Sequence, residues 1–375
     1  MQPNSLTLLE PLPLEVGITS RMVKTVTGLD MHVLEAGSMQ APMLLLLHGF
    51  PELAFSWRRV MLPLAEAGYY VVAPDLRGYG RTTGWDPNFD GDLYSFTLPN
   101  LVRDLLALLD ALDRESADCV IGHDFGSPLA AWATLLRPDI FSSVVLMSAP
   151  FAGPPDLEAK DANPDKGLSS LLPPRKHYQW YYCTPEANRD MLEPPQGLHA
   201  FLRAYFHMKS ADWAPNVPEP LLAWKAEELA RLPEYYVMKL NDTMPSAVSP
   251  EMPDVASIEA CSWLPDDELA VYTAEFTRTG FQGGLNWYRT SVLPMFTRDL
   301  AVHAKRKIQM PLIFIAGEAD WGYRQSPGAL ESMEANACTD YRGTHIVSGA
   351  GHWVQHEQPE AIVRHILDFV CHIAG

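Results

Sequence analysis

The sequence predicts an α/β fold in which a mostly parallel sheet is flanked by helices and interrupted by a long helical insertion. Three observations predict it. Short, wholly apolar runs alternate with helical patterns from residue 43 to 147, as strands buried on both faces of a parallel sheet require. The alternation stops after Ser148-Ala149-Pro150 and resumes at Pro311, so the α/β core is discontinuous. Between Val120 and Ser127 an apolar run ends in Gly122-His123-Asp124-Phe125-Gly126 and passes directly into a small-residue helix, the pattern of a sharp strand-to-helix elbow.

Taken in order, residues 1–24 read as an irregular lead-in, and Thr25–Thr27 with Met31–Glu35, around Gly28-Leu29-Asp30, predict a hairpin. Pro42 precedes the strand Met43–Leu47, which ends in His48-Gly49-Phe50-Pro51-Glu52. A helix is expected over Trp57–Ala67, stopped by Gly68, then a strand over Tyr69–Ala73 running into Asp75-Leu76-Arg77-Gly78-Tyr79-Gly80. A further helix spans about Leu98–Leu112. The strand Cys119–Gly122 carries the elbow, a helix follows to Arg137, and Ser143–Met147 forms the next strand, all joined by right-handed crossovers. Residues 150–175 are rich in Pro, Gly and Asp, and 176–300 read as helices with many aromatics and no buried strand. Strands at Leu312–Gly317 and near Arg342–Val347 resume the core. Ile362, Val363, Ile366, Leu367 and Val370 mark a last amphipathic helix, with Pro359 near its start.

Composition narrows the function. A formal net charge of −18 argues against nucleic acid or anionic membranes as partners. The start lacks the basic and apolar segments of a secretory signal, and no apolar run is long enough to span a bilayer. The five cysteines are scattered and odd in number, which points to a reducing, cytoplasmic setting rather than a disulfide framework. No H-E-x-x-H, paired-Cys or phosphate-loop motif occurs, so no metal and no cofactor is expected. A homodimer is the one candidate assembly, with oligomeric state left open.

Asp124 at the elbow centre has two readings, a helix cap or a nucleophile, and the five residues alone do not separate them. The rest of the chain favours the nucleophile. Ile315-Ala316-Gly317-Glu318-Ala319-Asp320 sets Asp320 just past one strand, and Gly349-Ala350-Gly351-His352-Trp353 sets His352 just past the next. This is the chain order nucleophile, acid, histidine, at the strand ends where catalytic groups gather. Alone, Asp320 is an ordinary turn residue and His352 one of 12 histidines; together they form a triad. The backbone N–H groups of Phe50 and Phe125 are the candidates for an oxyanion hole, and His48 shapes their loop.

On these five motifs, from about residue 25 to the C-terminus, the chain resembles the α/β-hydrolase superfamily and, within it, the epoxide hydrolases. The resemblance implies the α/β-hydrolase fold: a mostly parallel eight-stranded sheet flanked by helices, with a helical cap (lid) inserted after strand 6. It implies a core of residues 1–149 and 301–375 and a cap of 150–300. His177-Tyr178-Gln179-Trp180-Tyr181-Tyr182 and Gly284-Leu285-Asn286-Trp287-Tyr288-Arg289 resemble the segments of two lid tyrosines that hold and protonate the epoxide oxygen. This assigns Tyr178 and Tyr288, with Tyr181 or Tyr182 in place of Tyr178 if the alignment slips. Trp180, Trp287 and Trp353 are the expected substrate-binding residues.

The implied chemistry is hydrolysis of a small-molecule epoxide to a vicinal diol through an ester on Asp124. His352, oriented by Asp320, then activates water. The core motifs are shared with haloalkane and haloacid dehalogenases, the alternative reading. A dehalogenase needs side-chain N–H donors for halide, which Phe50 and Phe125 lack, although Trp180 or Trp213 could compensate. A serine esterase is disfavoured because no G-x-S-x-G occurs and Ser127 falls on the helix. A non-catalytic ligand-binding receptor of the same fold is the third reading.

Overall fold

The computed structural model describes residues 9–374 apart from 157 and 159–162; the first eight residues of the lead-in, part of the Pro-rich stretch 150–175 and the C-terminal Gly375 lie outside the described residues. Ten strands occur among them: β1 (Thr19–Lys24), β2 (Asp30–Ala36), β3 (Met43–Leu47), β4 (Tyr70–Pro74), β5 (Cys119–His123), β6 (Val144–Met147), β7 (Arg175–His177), β8 (Val237–Lys239), β9 (Leu312–Gly317) and β10 (Tyr341–Val347). Eight form one sheet in the order β1-β2-β4-β3-β5-β6-β9-β10. The β1–β2 and β2–β4 pairs are antiparallel and every other pair in this sheet is parallel. The expected eight-stranded, mostly parallel sheet is therefore present.

The apolar runs are continuous because both faces of the sheet are covered. Along β3, Met43, Leu45 and Leu47 enter one core while Leu44 and Leu46 enter the other, following the two-residue period of a strand. The first core takes helices Leu98–Ala111 and Gly126–Leu136 together with apolar residues of the segment between β6 and β9. The second takes helices Arg58–Glu66 and Pro359–Ala374, whose buried residues Val60, Met61, Leu64, Ile362 and Ile366 recur at helical spacing. Among the described residues no helix is long and apolar enough to cross a membrane.

Two readings of the sequence need correction. The opening hairpin begins six residues earlier than expected: Thr25–Gly28 is its turn, with the Thr25 N–H donating to the Leu29 carbonyl at 2.9 Å. Strand β1 lies at the sheet edge with only Val23 buried, so it carries no apolar alternation to read. The segment 176–300 is not wholly helical either, because β7 and β8 pair antiparallel through Arg175 and Lys239, Lys176 and Met238, and His177 and Val237. Three-residue strands are too short to leave a period in the sequence.

Candidate active site

Strand ends bring the site together. Phe50 follows β3, Asp124 follows β5, Asp320 follows β9 and His352 follows β10, all at carboxyl ends of parallel strands. Asp124 has φ 51°, in the left-handed region that a residue with a Cβ rarely occupies. The turn is held there by the Asp124 N–H donating to the Met147 carbonyl at 3.2 Å and the Ser127 N–H donating to the Asp124 carbonyl at 3.1 Å. It is also crowded. A Cβ on Gly122 would stand 2.0 Å from the Gly126 carbonyl oxygen, and one on Gly49 would stand 2.3 Å from the Asp124 Cβ. Glycine is required where the elbow crosses its own helix and where the Phe50 loop passes over the carboxylate.

The three polar side chains form a line. Asp320 Oδ1 accepts from Gly322 N–H at 2.6 Å and stands 3.0 Å from His352 Nδ1. His352 Nε2 stands 3.3 Å from Asp124 Oδ2, an ion-pair contact whenever the ring is protonated. Asp124 Oδ1 accepts the Phe50 N–H at 2.9 Å. Phe125 begins the following helix, where the first N–H groups have no intrahelical acceptor.

Burial would neutralise Asp124, yet its hydrogen-bonding and charge interactions with His352, helped by the charges of Lys209 and His123, hold the carboxyl down at about 2. Asp320 is likewise held low against its burial by His352. For His352, burial and the Lys209 charge favour the neutral ring, but Asp320 and Asp124 outweigh them and raise its pKa. The resting site holds an ionised Asp124 beside a basic imidazole.

Asp124, Phe125, Tyr178, Tyr288 and Gln325 line one cavity of about 240 Å³. Tyr288 sits edge-on to Phe125 at 4.4 Å and to Phe50 at 5.4 Å, and its ring centre is 5.7 Å from that of Tyr178. The Tyr178 hydroxyl donates to Gln325 Oε1 at 3.2 Å and accepts from Gln179 Nε2 at 3.3 Å. Burial, reinforced by the nearby Asp124 charge, pushes both phenols well above their ordinary value, so both remain proton donors. Tyr181 instead donates to Asp190 at 3.0 Å, and neither it nor Tyr182 lines this cavity.

Residues 42–173 match the α/β-hydrolase fold family. Over 362 residues the chain is 32% identical to epoxide hydrolase A of Mycobacterium tuberculosis, covering 94% of this chain and 97% of that one. The chain belongs to the epoxide hydrolase family. Among solved structures it is similar to an epoxide hydrolase from an endophytic Streptomyces, with TM-score 0.77 and 28% identity over 96% of this chain and 97% of that one. It is also similar to potato epoxide hydrolase I, with TM-score 0.72 and 31% identity over 95% and 99%.

In this member of the epoxide hydrolase family the three expected substrate-binding tryptophans do not line the cavity around Asp124. Trp180 packs on His177, with ring centres 5.2 Å apart. Trp287 donates to the Arg77 carbonyl at 2.9 Å and braces Phe125 from behind, with ring centres 5.8 Å apart. Trp353 donates to the Phe206 carbonyl at 2.8 Å and packs edge-on to His352, with ring centres 4.7 Å apart. Each indole N–H of the latter two is spent on a buried backbone carbonyl, which turns the ring into a support rather than a wall.

Other contributors escaped the sequence reading. His123, inside the elbow motif, places Nε2 2.7 Å from the His352 carbonyl and Nδ1 2.6 Å from Glu52. Glu52 resists its own burial because His123 and His356 hold its carboxyl well below the usual range. The Glu357 carboxylate accepts the N–H groups of Ala211 at 2.8 Å, Gly351 at 2.9 Å and Trp353 at 3.0 Å, clasping the His352 loop. Glu52 and His123 sit within the quoted motifs, so their positions were visible but their partners were not.

Proposed function

We propose that this chain converts small-molecule epoxides and water to vicinal diols through an ester on Asp124, and that the segment between β6 and β9 acts as the lid. The observation that carries this reading is that a carboxylate on a strained elbow and two protonated phenols line the same cavity. The names and near full-length similarity of the relatives support it. Five free cysteines, two of them buried, support a cytoplasmic setting.

In the first half-reaction Asp124 Oδ2 attacks an epoxide carbon and the C–O bond opens. The departing alkoxide is strongly basic and takes a proton from Tyr178 or Tyr288. In the second, His352 removes a proton from water, and the resulting hydroxide adds to the ester carbonyl. The Phe50 N–H, joined by that of Phe125, holds the oxyanion. Collapse breaks the acyl–oxygen bond, the imidazolium proton passes to the leaving diol oxygen, and the proton of the regenerated carboxylic acid restores the phenol. Esterification also removes the Asp124 charge that favours imidazolium, so the histidine becomes neutral when a base is needed.

The test is to follow purified protein with styrene oxide and, separately, with haloalkanes. Diol from styrene oxide is expected; halide release without diol overturns the reading, as does binding without turnover.

A further inference from the structure

Helix Leu198–Lys209 ends against the loop that carries His352. The Lys209 carbonyl, at a helix end where carbonyls lack intrahelical donors, accepts the His352 N–H at 2.8 Å. The packing is close, since a Cβ on Gly351 would fall 2.6 Å from that same oxygen. Lys209 itself is 3% exposed. Its ammonium lies 5.1 Å from the ring centre of Tyr236, 5.3 Å from Trp353, 5.4 Å from Tyr205 and 5.9 Å from Tyr235.

Among the described residues no ion pair joins Lys209 to a carboxylate. Aromatic faces compensate a buried cation in part, but they leave its charge unneutralised, and such a charge acts over several ångströms in a poorly screened interior. The charged and titratable groups facing His352 come from each surrounding element. Asp124 stands on the elbow, Asp320 on the loop after β9, and the His123 ring, backed by Glu52, on β5 with its centre 5.0 Å away. Tyr205, whose ring centre is 6.3 Å from that of Trp353, and Tyr235 face the Lys209 ammonium at the helix end.

We propose that Lys209 is a positioning residue for the hydrolytic half-reaction, a caged positive charge that holds His352 neutral once Asp124 is esterified. Before esterification two carboxylates favour the imidazolium. Afterwards only Asp320 does, and Lys209 opposes it. The ammonium lowers the proton affinity of His352 and of Asp124 alike, which suits both half-reactions because the nucleophile must be ionised and the base unprotonated. The role rests on the covalent reading above.

The experiment is a single turnover of styrene oxide at a series of pH values, with quenched-protein mass spectrometry following formation and decay of the Asp124 ester. In Lys209→Met, which keeps an unbranched chain inside the cage, the acidic limb of ester decay is expected to move up by about one pH unit. Ester formation at neutral pH should stay within about threefold of the unmodified protein, and Lys209→Arg should leave the limb in place. Lys209→Gln should give the same shift and serves if the Met variant does not fold. An unmoved limb in a folded Met or Gln variant overturns the proposal while leaving the ester intact. Failure of the unmodified protein to form any ester overturns the covalent reading instead.

Discussion

The Phe50 N–H holds Asp124 Oδ1 at 2.9 Å, leaving Oδ2 as the oxygen free to attack. An oxygen that accepts a hydrogen bond is the poorer nucleophile. Oδ1 is therefore expected to become the ester carbonyl oxygen, already lying where the oxyanion will form, and Oδ2 to be transferred to substrate. A single turnover in water enriched in oxygen-18 should give unlabelled diol and a labelled Asp124 peptide, with label reaching diol only in later turnovers. Labelled diol from the first turnover would rule out ester formation on Asp124.

Removing the members of the line separates the half-reactions. Asp124→Ala should lower diol formation by at least about 10³-fold. His352→Gln should still be alkylated, and the Asp124 peptide should retain the added mass of one substrate, visible after proteolysis. An unmodified peptide after exposure to styrene oxide would remove the covalent step.

In the proposed mechanism the phenols donate their protons in ring opening. Tyr178→Phe and Tyr288→Phe should each slow ester formation by about 10²-fold, at the low end of the range for acid–base catalysis, and the double variant should be slower than either. Rapid-quench measurement of ester formation checks this. Decay of preformed ester should change much less.

The two half-reactions should differ in acid. Asp124 is held at about 2, so ester formation should persist well below pH 5 and fail only as the carboxylate is protonated. Ester decay needs neutral His352, so on acidification it should fail at a higher pH than ester formation does, with ester accumulating during steady turnover. For folding, the depressed Asp124 contributes stability above its ordinary value of 3.8 that is lost as pH falls towards 2.

Glu357 links the His352 loop to the start of the segment after helix Leu198–Lys209, and burial pushes its carboxyl up to about 8. A raised folded-state value contributes stability fully present below the ordinary 4.5 and lost as pH rises through 8. Glu357→Gln keeps one acceptor oxygen but leaves at least one of the three backbone N–H groups without its partner, and should cost about 1–3 kcal/mol in urea unfolding at pH 6. Its stability should also decline less between pH 5 and 8 than that of the unmodified protein.

The sheet was legible because a strand buried on both faces must be apolar throughout, as Met43–Leu47 and Leu312–Gly317 are. Edge strand β1 and the ribbon β7–β8 were not legible, since an exposed edge and three-residue strands impose no pattern. In the site, the elbow glycines and chain order pointed to Asp124, Asp320 and His352, because the turn and the loop after each strand are local requirements. The partners of Glu52, Lys209 and Glu357 were invisible, being separated from them by up to hundreds of residues.

By itself the sequence determined the α/β architecture, the elbow and its carboxylate, and the family to which the chain belongs. These follow from short-range constraints: apolar runs, glycines where a Cβ cannot fit, and motifs a few residues long. Tertiary structure alone decided that Tyr178 rather than Tyr181 or Tyr182 lines the cavity with Asp124, and that Trp287 and Trp353 back Phe125 and His352 instead of lining it. It also set Lys209 in a cage of rings beside the His352 loop. Side-chain direction and the sum of charges on a buried group depend on which distant elements pack together, and no local pattern encodes that.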